Sequence, residues 1–242
     1  MTESTIQAVF FDLDGTLRYN RPNGFESFVA YLNEGGQVLS AEQVLAGQRW
    51  THYYWSVAPE RNADLREFGE DRHGFWLRHT ERQLRAVGIE RDVPELAAQI
   101  GQLFDQRYQP VLHVPDDVLP TLARLRTLGY KVGLVSNRLE PLETLVAEMG
   151  LADYFLFTLS AGQAGTWKPD AAIFLKAVAL AGCEAEATAY VGDNYYADVE
   201  GAIAAGLRPI LLDPDGIFPE AACPVIRTLG ELEGTLAKME PA

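Results

Sequence analysis

The feature that most constrains this chain is an apolar run that turns abruptly acidic: Phe10-Phe11-Asp12-Leu13-Asp14-Gly15-Thr16-Leu17. Ala8 to Phe11 is short, aromatic and bounded by a turn signal, so it reads as a buried strand. In an open α/β sheet, the carboxyl edge of such a strand is where ligands bind. Asp12 and Asp14 flank Leu13, and strand-like geometry points both carboxylates the same way. Two carboxylates aimed into one small volume repel each other unless a cation neutralises them. Gly15 permits a sharp turn and a close backbone approach. The stretch reads as an anion-processing metal site, although Asp-x-Asp-Gly taken alone is equally an ordinary acidic turn. The choice rests on what the later strand ends supply.

Composition narrows the classes. With 242 residues, 48% hydrophobic and 22% charged, the chain fits a soluble globular protein of one or two domains. A formal charge of −14 leaves no basic stripe to track phosphates, so nucleic acid is not an expected partner. A small anion still binds where the local field is positive. Met1 to Thr5 carries no basic region, and the apolar strand after it is too short for a signal-peptide core or a membrane span. Two cysteines, Cys183 and Cys223, make no disulfide framework and no metal spacing. They read as semi-buried fillers in a cytoplasmic protein.

Texture divides the chain. From Phe25 to about Tyr108, apolar residues recur at helical spacing, as in Phe25, Phe28, Val29, Leu32 and again in Leu96, Ile100, Leu103, Phe104. Ser40-Ala41-Glu42-Gln43 has the pattern of a capping box, and Gly35-Gly36 and Gly88 mark breaks between helices. From Val114, strands and helices alternate. Strands are predicted at Lys131–Val135, Tyr154–Phe157, Thr188–Val191 and Pro209–Leu212, and Val225 and Ile226 form a short apolar segment. Helices are predicted at Asp116–Leu128, Pro141–Met149, Ala171–Ala181, Ala197–Ala205 and Leu229–Lys238. Such alternation implies an α/β fold with a doubly wound parallel sheet and right-handed crossovers.

The polar residues at the carboxyl ends of these strands form a series. Asp12 and Asp14 are followed by Ser136 and Asn137, then Lys168, then Asp193 with Asp198. The set Asp12-Leu13-Asp14-Gly15-Thr16, Val135-Ser136-Asn137, Lys168-Pro169-Asp170 and Gly192-Asp193-Asn194…Asp198 resembles the four motifs of the haloacid dehalogenase-like hydrolase superfamily. Each motif alone is weak, but four in order at strand ends or loops are specific. The resemblance implies a Rossmann-like core formed by residues 1–19 and 113–242, with residues 20–112 inserted as an all-helical cap.

By this resemblance, the chain is expected to be a phosphatase of small phosphorylated metabolites. Asp12 would be the nucleophile that forms an aspartyl-phosphate, and Asp14 the general acid and then base. Mg²⁺ would sit on the Asp12 side chain, the Asp14 backbone carbonyl and Asp193, with Asp198 in support. Ser136, the Asn137 backbone N–H and Lys168 would bind the phosphoryl group, Lys168 neutralising charge on it and on the nucleophile. The chain departs from the family pattern at Tyr19-Asn20, where many relatives carry an Asp-Ser-like pair, and at Asn194, where Ser is frequent. Members that cleave carbon–halogen bonds do not resemble it at Asp14.

The remaining residues receive blander readings. The aromatics Trp50, Tyr53, Tyr54, Trp55, Phe75 and Trp76 read as the cap's own core. His52, His73, His79 and His113 read as scaffold or surface. Arg138 is a candidate for helping to bind anions, but its context reads more as surface. Arg18, Arg21 and Arg49 are candidates for holding a remote anionic group of a substrate. Other functions compatible with the series are a sugar phosphomutase, a phospho-Asp signalling receiver and a non-catalytic binding protein that keeps the fold. A monomer and a homodimer both fit.

Overall fold

The computed structural model describes residues 5–239. The stretch Met1 to Ser4, read above as lacking a basic leader, lies outside the described residues. Between Tyr19 and Asn20, and again between Leu112 and His113, the chain passes from one compact unit to another.

The first unit is built on a sheet of six parallel strands. In chain order they are β1 (Ala8–Phe11), β4 (Lys131–Ser136), β5 (Phe157–Ser160), β6 (Thr188–Gly192), β7 (Arg208–Leu212) and β8 (Val225–Ile226). Two further short strands lie at the unit boundary, β2 (Tyr19–Arg21) and β3 (Val111–His113), and pair with each other. Strand order in the large sheet is β5-β4-β1-β6-β7-β8. The winding reverses at β1, so its carboxyl end, flanked by those of β4 and β6, is the switch point of the sheet.

Burial on both faces follows from the pattern of the strands. Val9 and Phe11 pack with Leu122, Leu125, Val146 and Leu232 on one side. Ala8 and Phe10 pack with Ile173, Phe174, Ala177 and Tyr190 on the other. Apart from Tyr190, which belongs to β6, those partners come from α6 (Val118–Thr127), α7 (Glu143–Glu148), α9 (Ala171–Ala181) and α11 (Leu232–Met239). Gly133 in β4 is small because a neighbour occupies its space: a Cβ there would lie 2.4 Å from the Phe157 ring and 2.8 Å from that of Phe10.

The second unit is helical. It consists of α1 (Gly24–Glu34), α2 (Ala41–Ser56), α3 (Pro59–Phe68), α4 (Arg72–Ala86) and α5 (Val93–Arg107). The Ser40 capping box is present, with the Gln43 N–H donating to Ser40 Oγ and the Ser40 N–H to Gln43 Oε1. Phe28, Leu32, Leu84 and Ile100 form one core. Tyr54 and Phe75 form another, against which Trp50, Tyr53 and Trp55 pack. Trp76 is the exception, at 46% exposure. His79 is buried among these rings, and burial lowers its pKa to about 4, so it is a neutral core residue at pH 7.

The structure corrects several boundaries. The apolar residues Tyr154 and Phe155 precede the strand and pack against the core from a turn; pairing with Gly133 starts β5 at Phe157. The helix predicted from Ala197 opens as one wide π-helical segment, Tyr195–Val199, before α10 (Glu200–Ala204). The two short strands at the unit boundary carry no alternating pattern, and sequence reading took the first for a turn. Among the described residues, no helix is long and apolar enough to cross a membrane.

One polar contact in the helical unit yields a stability prediction. The Asp64 side chain is wholly buried and accepts two hydrogen bonds from Arg82, each 2.8 Å, and one from the Tyr54 hydroxyl at 3.0 Å. Arg82→Met leaves that carboxylate without its counter-charge, and the expected cost is about 3 kcal/mol in urea-unfolding free energy.

Candidate active site

Three neighbouring strands deliver the site. Asp12 follows β1 directly, and its N–H donates to the Val191 carbonyl of β6 at 2.9 Å. Ser136 ends β4, and Asp193 follows Gly192 at the end of β6. Asp198 faces the same point from the π-helical segment, where the wide turn places it at 1% exposure. Lys168 arrives from the loop before α9.

Lys168 is the hub. Its ammonium donates to Asp12 Oδ1 and to Asp198 Oδ1, both at 2.6 Å, and to the Tyr190 hydroxyl at 3.0 Å. The Tyr190 hydroxyl in turn donates a hydrogen bond to the Val135 carbonyl at 3.2 Å. Asn137 fixes the Lys168 backbone from both sides: its Oδ1 accepts from the Lys168 N–H at 2.7 Å and its Nδ2 donates to the Lys168 carbonyl at 3.0 Å. The Asn137 side chain therefore belongs to the lysine's support. The phosphate role expected of Asn137 concerns its backbone N–H, beside Ser136 and Lys168.

Acids outnumber the cation. Carboxylate oxygens of Asp12, Asp193 and Asp198 lie within 4.8 Å of one another, three negative groups about one ammonium. Burial is the main force raising the Asp12 pKa, to about 7, against the opposing pull of Lys168. Burial, then the charges of Asp12 and Asp198, likewise push Asp193 well above the usual carboxylate range. Asp193 Oδ1 accepts from Thr16 Oγ1 at 3.0 Å. Gly15 makes that approach possible: at φ +102° a Cβ would sit 2.3 Å from Asp193 Oδ2. Asp198 is engaged at both oxygens: its Oδ1 takes Lys168 and its Oδ2 the Asn194 N–H at 2.9 Å. Surplus buried carboxylates with hard oxygen donors fit a divalent cation such as Mg²⁺.

Asp14 is not one of the three acids gathered at one point, although its charge still acts on Asp12. The strand ends at Phe11, and Asp14 turns instead to two arginines. Arg138 donates through Nε to Oδ2 at 2.7 Å and through Nη2 to Oδ1 at 3.1 Å. Arg18 donates through Nε to Oδ1 at 2.8 Å. Burial opposes ionisation of Asp14, but the hydrogen bonds and charge of Arg138, then those of Arg18, outweigh it and hold the carboxyl below its ordinary value. Arg138 is not the bland surface residue its sequence context suggested. Ser136 is 2% exposed, and its Oγ accepts from the Arg138 N–H at 3.3 Å. Tyr190 has no signal of this role in the sequence, because a Tyr in an apolar strand reads as core; Arg138 stood as a candidate for anions but ranked as surface, because it follows a strand end.

Comparisons with known proteins agree with one another. A family model described as "haloacid dehalogenase-like hydrolase" matches residues 6–206. "Haloacid dehalogenase-like hydrolase domain-containing protein 3" of Bos taurus is 30% identical over 240 residues, covering 93% of this chain and 94% of that one. The human protein of the same name is 33% identical over 154 residues, 63% of this chain and 59% of its own length. Glyceraldehyde 3-phosphate phosphatase of Methanopyrus kandleri is 30% identical over 204 residues, 84% of this chain and 82% of that one. Among solved structures, 2-haloacid dehalogenase from Pseudomonas syringae pv. Tomato superposes with a TM-score of 0.56 at 28% identity, over 97% of this chain and 99% of that one.

The raised carboxyls fix how stability follows pH. In a chelator, the folded protein keeps the Asp12 proton up to about pH 7, whereas the unfolded chain loses it near 3.8. The native state thus binds more protons between these values, and stability falls as pH rises through them. Asp193 acts in the same direction. Urea midpoints in EDTA are expected to drop between pH 5 and pH 7.5, and Asp12→Asn to flatten that drop.

Proposed function

The chain belongs to the haloacid dehalogenase-like hydrolase family, and from that premise we propose that it is a Mg²⁺-dependent phosphatase of small phosphomonoesters. The observation that carries this reading is the buried Lys168 ammonium clamped between Asp12 and Asp198, with Asp193 alongside. A carboxylate repels a phosphate, and this cluster is arranged to overcome that repulsion. The Methanopyrus relative, named for a three-carbon sugar phosphate, supports a small substrate.

In this reading, Asp12, the Asp14 backbone carbonyl and Asp193 would hold the metal, with Asp198, which also binds Lys168, in support. The metal, when bound, neutralises carboxylate and phosphoryl charge and so lets the two approach. Asp12 attacks phosphorus; the new bond from its carboxylate oxygen forms as the bond to the leaving oxygen breaks. Asp14 gives its proton to that leaving oxygen. Asp14 then takes a proton from water, whose oxygen attacks phosphorus, and the bond to Asp12 breaks to release phosphate. Ser136 and the Asn137 N–H bind phosphoryl oxygens, and Lys168 balances charge on Asp12 throughout. The helical unit, residues 20–112, serves as the substrate-selecting cap. A carbon–halogen reaction, suggested by the name of the Pseudomonas structure, fits less well because Asp14 offers an acid and base that phosphate chemistry uses.

The test is phosphate release from p-nitrophenyl phosphate and a panel of metabolite phosphomonoesters. Wild type is expected to need Mg²⁺ and to lose activity in EDTA; Asp12→Asn is expected to be inactive. Absence of release under every condition overturns the phosphatase reading. Asp14→Asn is expected to slow turnover by about 10²- to 10⁴-fold. With p-nitrophenol, a leaving group that departs without an acid, the Asp14→Asn protein is expected to accumulate a hydroxylamine-sensitive phosphoryl label on Asp12. Added Mg²⁺ is also expected to raise the melting temperature, and more at pH 7.5 than at pH 5, because protonated carboxyls do not bind it.

A further inference from the structure

Asp14 presents a conflict. The phosphatase reading requires its carboxyl to face a leaving oxygen, yet both oxygens are already taken: Oδ1 accepts from Arg18 and Arg138, and Oδ2 from Arg138. A carboxyl in that grip is not free for a leaving oxygen, so the arginines must release it before chemistry. Guanidinium groups give up one carboxylate only for another anion of matching geometry. The transferring phosphoryl group is already provided for by Lys168, Ser136 and the metal ligands.

We infer that Arg18 and Arg138 are the receptor for a second anionic group on the substrate, a carboxylate or a second phosphate, which takes them from Asp14 and thereby frees the acid. This inference rests on the phosphatase reading and names its substrate class. Three features of the geometry support it. Charge is in surplus, with two guanidiniums on one carboxylate. The Asp14 and Arg138 side chains are 46% and 37% exposed, so an incoming anion reaches them, whereas Arg18 at 11% is the fixed floor of the pair. Arg138 also lies close enough to Asp12 to feel its charge, so a compact substrate can present one group to each. Whole-molecule electrostatics do not explain any such preference, because a net charge of −14 repels the more anionic of two ligands. Only a local pair of cations reverses that order.

The experiment uses two inhibitors of p-nitrophenyl phosphate hydrolysis that share a carbon skeleton. 3-Phosphoglycerate carries a carboxylate where glycerol 1-phosphate carries a hydroxymethyl group. Competitive Ki values are read whether or not either compound is turned over. In wild type, 3-phosphoglycerate is expected to bind at least about tenfold more tightly, the gain from charge-assisted hydrogen bonds. Arg138→Met and Arg18→Met are each expected to shrink that gap, and Arg138→Lys to keep part of it, since charge is retained without the fork. A merely structural role moves both Ki values together and leaves their ratio unchanged. The inference is overturned by equal Ki values in wild type, by a gap that survives both substitutions, or by parallel weakening of both compounds in Arg138→Met. That last result would assign the arginine to the transferring phosphoryl group. If wild type hydrolyses no aryl phosphate with Mg²⁺ present, the phosphatase reading itself fails. Hydrolysis without discrimination defeats only the two-anion inference.

Discussion

A single buried ammonium governs the architecture of the core unit. Taking Lys168 out of water at 3% exposure is costly, and only a full set of acceptors offsets the cost. Asp12, Asp198 and the Tyr190 hydroxyl supply that set, one acceptor for each N–H of the ammonium. Each acceptor comes from a different place: the end of β1, the π-helical segment after β6, and the interior of β6. Holding all three on one nitrogen fixes the relative positions of these elements more tightly than apolar packing does, because hydrogen bonds are directional and dispersion contacts are not.

The charge balance around that ammonium is deliberately incomplete. One cation does not neutralise three carboxylates, and burial together with that excess raises the pKa values of Asp12 and Asp193. A protein carries such strain at a functional site and rarely elsewhere. The surrounding backbone is built to permit it. Gly15 removes a side chain so that Asp193 can approach, and Asn137 binds both backbone groups of Lys168, so the loop carrying it cannot drift. Outside the cluster, the arginines on Asp14 give the neighbouring surface the opposite sign. An acidic protein thus keeps a local field that suits anions, which is how a net charge of −14 is compatible with phosphate chemistry.

The helical unit solves its own packing problem independently. Its aromatic cluster encloses a neutral His79, and its one wholly buried acid, Asp64, is answered by Arg82 and Tyr54. These polar contacts stay within the unit. Chemistry-bearing carboxylates collect in the sheet unit, and the helical unit presents mainly surface and shape.

Much of this was legible in the sequence, because the signals are local. The Phe10-Phe11-Asp12 transition marks a strand end whatever surrounds it, and strands alternating with helices leave few topologies for a parallel sheet. Four polar motifs at successive strand ends gave the order of the site and the nature of its donors. What the sequence did not contain is which side chain each group chooses when several are in reach. Asp12 and Asp14 are two residues apart, yet one joins a buried cluster while the other turns to Arg18 and Arg138; the pairing with Arg138 spans 124 positions. Tyr190 reads as one more apolar residue of β6 until Lys168, 22 positions away, is set beneath its hydroxyl. The residue types and their order along the sheet edge were determined by the chain alone. Their partners were decided by tertiary structure, because the energy of a buried charge depends on the whole set of groups that folding brings around it.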